Sequence, residues 1–183
     1  RRPGVFRYSS SGIGLLGAAL AARVGTSYEE LATERVLRPL GMARSTFDRP
    51  AGADAVVRGH SASGAPAPYL RDRMPAAGAL ASTSEDVTLL IRAGLADSPV
   101  PPRLREAVTF SQVPRARVAA GLGVGLTWLL TERDGRVTAW HNGATWGFSA
   151  YAAVGPADGV SVVVLTDTCR SVDEFGTELI DAG

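Results

Sequence analysis

Residues 126–140, LTWLLTERDGRVTAW, hold two strand-like runs on either side of Asp134-Gly135, a dipeptide that supplies the positive φ angles of a tight hairpin turn. Two further runs, FSAYAAV and VSVVVLT, lie on either side of residues 155–159 and form a second hairpin. Four consecutive strands joined by short turns imply an antiparallel sheet. Ser171 to Glu174 then offers a capping box for a terminal helix, which covers one face of that sheet. The fold class is therefore α+β, an antiparallel β-sheet flanked by helices.

Ahead of Gly121 the punctuation is helical. Ile13, Leu15, Leu16, Leu20 and Val24 suit one broad apolar helix face, and Gly25 is placed to stop that helix. Thr26-Ser27-Tyr28-Glu29 offers a capping box for a second helix, predicted to run to about Leu37 and to stop at Arg38-Pro39-Leu40-Gly41. Ser82-Thr83-Ser84-Glu85 offers another, leading Val87, Leu89, Leu90 and Ile91 into a helix. Residues 51–75 are rich in Ala, Gly and Pro without periodicity, so they read as a long surface excursion and not as a linker between domains. There is no internal repeat.

With 183 residues, 45% of them apolar and 20% charged, the chain suits one domain or a large part of one. A net charge of +1 and the lack of a basic run argue against nucleic acid or an anionic membrane as the main partner. The longest weakly polar stretch, residues 13–22, is about half the roughly 20 residues that a bilayer demands, so no membrane span is predicted. A single cysteine, Cys169, excludes an internal disulfide and leaves both sides of a membrane open as the compartment. All nineteen basic residues are arginine, which removes lysine Schiff bases, phosphate-loop lysines and lysine general bases from this chain. The opening RRPGVF has neither an initiator methionine nor a signal-like segment and reads as a start inside a longer gene product.

Two short stretches carry chemistry. Tyr8-Ser9-Ser10, at the front of the first apolar run, is either a catalytic corner or the polar cap of a buried helix. WHNGATWGF, between the two hairpins, places His141 at a strand end with Gly143 and Gly147 close behind. A glycine just after a titratable side chain lets a backbone or a ligand approach that edge of the sheet. Trp140 and Trp146 flank the histidine and either line a pocket or pack the sheet. His60, in the irregular excursion, reads as a surface residue. Cys169 has no His or Asn near it in sequence and is not taken as a nucleophile. Two isolated histidines and one cysteine make no metal-ligand cluster, so neither a metal nor a cofactor is expected.

YSSSGIGLLGAAL, VLRPLGMARSTF, AAGALASTSEDV, HNGATWGFSA and VVVLTD follow one another in an order that resembles the serine β-lactamase and penicillin-binding-protein-like superfamily. The branch that they resemble holds class C β-lactamases, D-alanyl-D-alanine carboxypeptidases and esterases. The resemblance spans essentially the whole chain. In that family three motifs meet at a cleft between a helical region and the sheet: Ser-x-x-Lys with the acylated serine, Tyr-x-Asn, and Lys-Thr-Gly or His-x-Gly. Tyr8-Ser9-Ser10 matches the second motif and His141-Asn142-Gly143 the third. The first has no counterpart, because the chain holds no lysine. The resemblance thus implies the C-terminal part of a single β-lactamase/transpeptidase-like domain with its N-terminal part missing. Residues 1–120 would be a mainly helical region with a long loop, and residues 121–183 the antiparallel sheet and terminal helix.

It further implies a serine hydrolase that transfers an acyl group from a peptide, ester or lactam carbonyl through a covalent acyl-enzyme. Tyr8 would take the proton of the absent serine, which requires nearby cations to favour its phenolate; the missing lysine and His141 are the candidates. Gly143 would let substrate lie along the strand, and the Ala144 N–H would form one arm of the oxyanion hole. Ser10 stands where the family usually has an asparagine, and its shorter side chain reaches less far toward a substrate amide, which shifts the weight from β-lactam turnover toward ester or peptide chemistry. The implied partners are a small-molecule or peptide substrate and the missing segment, within an intact precursor or as a second chain. The alternative is a non-catalytic, penicillin-binding-like sensor or structural module.

Overall fold

The computed structural model describes residues 6–48, 57–68 and 74–183. Ser9 caps the first helix, α1 (Ser10–Val24), by accepting a hydrogen bond from the Gly12 N–H at 3.0 Å, and Gly25 ends it in the left-handed conformation with φ 79°. Its buried face is not the predicted leucine face. Gly14, Gly17 and Ala21 are buried, whereas Leu15, Leu16, Leu20 and Val24 are exposed. The reason is closeness of approach: the turn Pro75–Ala77 and Tyr28 pack directly on the glycines. A Cβ on Gly14 would lie 2.8 Å from Met74 Sδ, and one on Gly17 would collide with Ala76.

The second helical segment comprises α2 (Tyr28–Ala32), a π-turn (Thr33–Leu37) and α3 (Arg38–Leu40). Its capping box is one residue further on than predicted, with Ser27 as the cap and Glu30 reciprocating. Thr26 adds its hydroxyl to the same carboxylate, and these bonds, Thr26 first, hold Glu30 below its ordinary pKa. Nor does Pro39 stop the helix. The preceding turn widens so that the Arg38 N–H reaches Thr33 O, which accommodates a residue with no N–H of its own, and Gly41 with φ 72° closes the segment. Thr83 caps α4 (Ser84–Arg92), again one residue later than predicted. Asp86, in the first turn of α4, is buried and accepts from the Arg44 N–H and the Ser45 hydroxyl, each at 2.8 Å. The sequence did not announce α5 (Pro102–Ser111), which opens with Pro102 at its first turn.

The sheet is one antiparallel meander of six strands and not four: β1 (Ala116–Ala119), β2 (Leu122–Val124), β3 (Leu129–Arg133), β4 (Arg136–Thr145), β5 (Phe148–Gly155) and β6 (Val160–Thr166). The first two strands, of four and three residues, are too short to show a period. Asp134 (φ 51°) and Gly135 (φ 77°) make the predicted turn between β3 and β4. Alternation along β4 separates two faces. Ala139 packs with Leu130, Val154, Ile91 and Leu95 beneath α4. On the other face lies α6 (Asp173–Ala182), with Gly176 so close to the Tyr151 ring that a Cβ there would collide with it. No capping box forms at α6, because Ser171 accepts from the Asp173 N–H and not from a residue one turn on. A second core, Leu37, Leu40, Met42, Ala93 and Val108, joins the helices.

The described part of the predicted surface excursion, residues 57–68, is a strap at one end of the sheet, by the β4–β5 turn and the end of β6; residues 51–56 and 69–73 lie outside the described residues. The His60 N–H is shared between Gly147 O at 3.1 Å and Asp167 O at 2.7 Å, and Cys169 N donates to His60 O. Gly59 is buried against Phe148 and Gly147, leaving no room for a Cβ.

Candidate active site

Tyr8 stands immediately ahead of α1 and is 71% exposed. Ser9 spends its hydroxyl on the cap, and Ser10 is the first residue of α1, its side chain exposed. The question posed by Tyr8-Ser9-Ser10 therefore divides: Ser9 is the cap, while Tyr8 and Ser10 face outward. The Tyr8 and His141 rings lie with centroids 6.3 Å apart and planes at 39°.

His141 occupies the middle of β4, not a strand end. Its position is nonetheless an edge, because β3 begins at Leu129 opposite Trp140 and goes no further. Residues 141–145 thus pair with β5 alone, and on the β3 side no strand among the described residues continues the ladder. His141 is half-buried, and its Nδ1 is hydrogen-bonded to Asn142 O. A carbonyl can only accept, so Nδ1 carries the proton and Nε2 is left as the acceptor of the neutral ring. Gly143 and Ala144 are exposed in this open stretch. A Cβ built on Gly143 would meet no atom within 4 Å, and its φ lies outside the left-handed region. Neither backbone nor packing within the described chain calls for glycine there.

Tyr8, Ser10, His141, Gly143 and Ala144 all line one cleft of about 2330 Å³, well above the roughly 300–1,000 Å³ of an ordinary ligand pocket. Leu16 and Leu20 of α1 border it too. The two tryptophans divide between the alternatives. Trp140 packs the sheet, stacked on Tyr151 at 5.7 Å and donating to the Thr131 hydroxyl, whereas Trp146 is 67% exposed on the cleft wall. His60 is not a plain surface residue: its ring is half-buried, with Nδ1 3.2 Å from Asp167 O and 3.4 Å from Asp167 Oδ2. Cys169 is exposed at the cleft rim. Among the described residues no three His, Cys, Asp or Glu side chains come together as a metal site, and no helix is long and apolar enough to cross a membrane. Sequence reasoning overlooked the hydrogen bond from Asn142 to Asp173, which joins residues far apart in the chain and follows no period.

A helical region facing an antiparallel sheet across a cleft, with a tyrosine on one wall and a histidine-glycine strand on the other, is the arrangement that the motifs predicted. Residues 3–180 match the family described as Beta-lactamase, and the chain belongs to that family. It is 29% identical over 181 residues to penicillin-binding protein 4 of Amycolatopsis lactamdurans, a match that takes in 89% of this chain and 47% of that protein. Among solved structures it superposes on a D-alanine carboxypeptidase AmpC from Burkholderia cenocepacia with a TM-score of 0.86 at 19% identity, covering 97% of this chain and 61% of that one. A β-lactamase from Sulfitobacter sp. EE-36 gives a TM-score of 0.85 at 22% identity, covering 100% and 61%. The fold is thus that of the serine β-lactamase and penicillin-binding-protein superfamily. The chain spans about half the length of the curated relative and about three-fifths of these solved chains.

Proposed function

We propose that this chain supplies the tyrosine and strand walls of a serine acyl-transfer site, and that the nucleophilic Ser-x-x-Lys belongs to a segment outside it. The observation that carries the proposal is the approach of Tyr8 to His141, 6.3 Å between ring centroids, above one cleft that also holds the unfilled space at Gly143. In the reaction the Tyr8 phenolate removes the proton of the serine hydroxyl while the oxygen attacks a peptide, ester or lactam carbonyl. The Ala144 N–H donates to the oxyanion of the tetrahedral intermediate, and the phenol returns its proton to the leaving group as that bond breaks. Water then repeats the sequence on the acyl-enzyme. The related proteins named above as a penicillin-binding protein, a D-alanine carboxypeptidase and a β-lactamase support this class of carbonyl substrate. Ser10, shorter than an asparagine, favours esters and simple peptides over lactams that carry a side-chain amide.

The test is acylation of the full-length protein by a p-nitrophenyl ester and by a penicillin, followed by intact mass. Tyr8→Phe is expected to slow acylation by about 10²- to 10⁴-fold, the usual worth of a positioned proton acceptor, while thermal stability stays at the wild-type level because Tyr8 is exposed. Wild-type acylation rates in that variant would sink the assignment. An unmodified wild-type protein would instead favour the non-catalytic sensor.

A further inference from the structure

The acyl chemistry uses His141 and Gly143 and leaves the residue between them without a task. That residue is Asn142. Successive side chains of a strand point to opposite faces, so the Asn142 side chain lies on the face opposite that of His141, where its Nδ2 donates to Asp173 Oδ2 at 2.7 Å, while the residue itself borders the cleft. A carboxylate only accepts, which fixes the amide orientation and makes the bond charge-assisted. Asp173 opens α6, a helix without a side-chain cap. One turn on, Gly176 lies against the ring of Tyr151, the residue that pairs with Asn142 across β4 and β5. The first turn of α6 is thereby pinned to the back of the sheet at one spot.

That spot lies directly behind the stretch that β3 does not pair. Residues 141–145 have lost the β3 side of their ladder, and a strand held on one side opens more readily than one held on both. We propose that Asn142 is a positioning residue: through its hydrogen bond to Asp173 it uses α6 to hold the open half of β4, keeping His141 and Gly143 aimed into the cleft. The proposal rests on the acyl-transfer assignment of that cleft. It assigns a task to a position that the His-x-Gly pattern leaves free, and to a carboxylate that the chemistry does not touch.

The test uses the full-length protein in four versions besides wild type: Asn142→Leu, Asn142→Asp, Asp173→Asn and the reciprocal double Asn142→Asp/Asp173→Asn. Acylation by p-nitrophenyl acetate and backbone amide exchange are followed side by side. Asn142→Leu is expected to slow acylation by up to roughly 10²-fold, the cost of a misplaced reacting group, with KM little changed. Amide exchange should quicken in residues 141–145 and not in residues 136–140, which β3 still pairs. Asn142→Asp sets two carboxylates against each other and should be as slow. The double variant restores a donor-acceptor pair with its roles exchanged and should recover both acylation and protection. Single variants that acylate and exchange like wild type would overturn the proposal, as would a double variant that regains protection without regaining acylation. Should Asn142→Leu fail to fold, the contrast between Asn142→Asp and the double variant decides. If even wild type takes no acyl group, the acyl-transfer assignment fails by itself. Exchange then judges the tether alone: unchanged protection in the single variants overturns it, and protection lost and regained sustains it.

Discussion

At the scale of single residues, Gly143 is the most informative position. Most glycines in a fold are required by a positive φ or by a neighbour pressed against the α-carbon, as at Gly147, where φ is 86° and Gly59 and Ala67 leave no space. Gly143 meets neither condition. Gly143→Val is therefore expected to leave the melting temperature unchanged or slightly raised, since a β-branched residue suits a strand, while acylation in the full-length protein falls by at least the roughly 10²-fold cost of a displaced substrate. Differential scanning calorimetry beside ester acylation checks this; a variant that loses stability in step with activity would mean that the glycine serves the fold. Tyr8, Ser10 and His141 were legible as candidates because their motifs are recognised by residue type and order, and the fold brings them to one cleft. Asp173 was not, because its partner Asn142 is brought to it only by the packing of α6 on the sheet.

At the scale of elements, α1 shows why a hydrophobicity pattern can name a helix and still misplace its contacts. The residues that meet a neighbour are the smallest, since only Gly14, Gly17 and Ala21 allow the Pro75–Ala77 turn and Tyr28 to come so near. Two substitutions should therefore give results opposite to those that hydrophobicity alone implies. Gly17→Val is expected to destabilise the chain by about 1–3 kcal/mol through overpacking. Leu15→Gln, at a position 72% exposed, should change stability by no more than about 0.5 kcal/mol. Urea denaturation of both variants in the full-length protein measures the contrast, and a larger loss at Leu15 would restore the leucine face as the packed one. The starts of α2 and α4 were legible to within a residue because a capping hydroxyl must sit just ahead of the first free N–H groups. The terminal helix was legible as a helix but not in its cap, and β1 and β2 were invisible because strands of four and three residues carry too few side chains to display alternation.

At the scale of the whole molecule, the chain presents two open surfaces on one cleft: the open half of β4 and the apolar side of α1 with Leu16 and Leu20. Exposed strand edges and contiguous apolar surface both promote association. Residues 1–183 expressed alone are expected to bind a hydrophobic dye, to self-associate at micromolar concentration and to take no acyl group from a penicillin or a p-nitrophenyl ester. Joining them to the proposed Ser-x-x-Lys segment should abolish dye binding and permit acylation. Analytical ultracentrifugation and intact mass read both outcomes. A monomeric isolated chain, or a stoichiometric adduct on Ser9 or Ser10, would contradict this account.

What the sequence by itself determined is local and chemical. The Asp134-Gly135 turn and the runs around it dictate an antiparallel sheet, because that turn leaves two successive strands no other way to pair. The order of the tyrosine and histidine-glycine motifs marks the family, because motifs are recognised by residue type and order whatever surrounds them. What only the tertiary structure decided depends on distance between remote parts. It set where β3 stops and leaves His141 on an edge, which face of α1 is buried, how the strap at His60 meets the end of the sheet, and that Asn142 meets Asp173. None of these has a sequence signature, since each results from how closely two elements approach, and that depends on all the side chains between them at once.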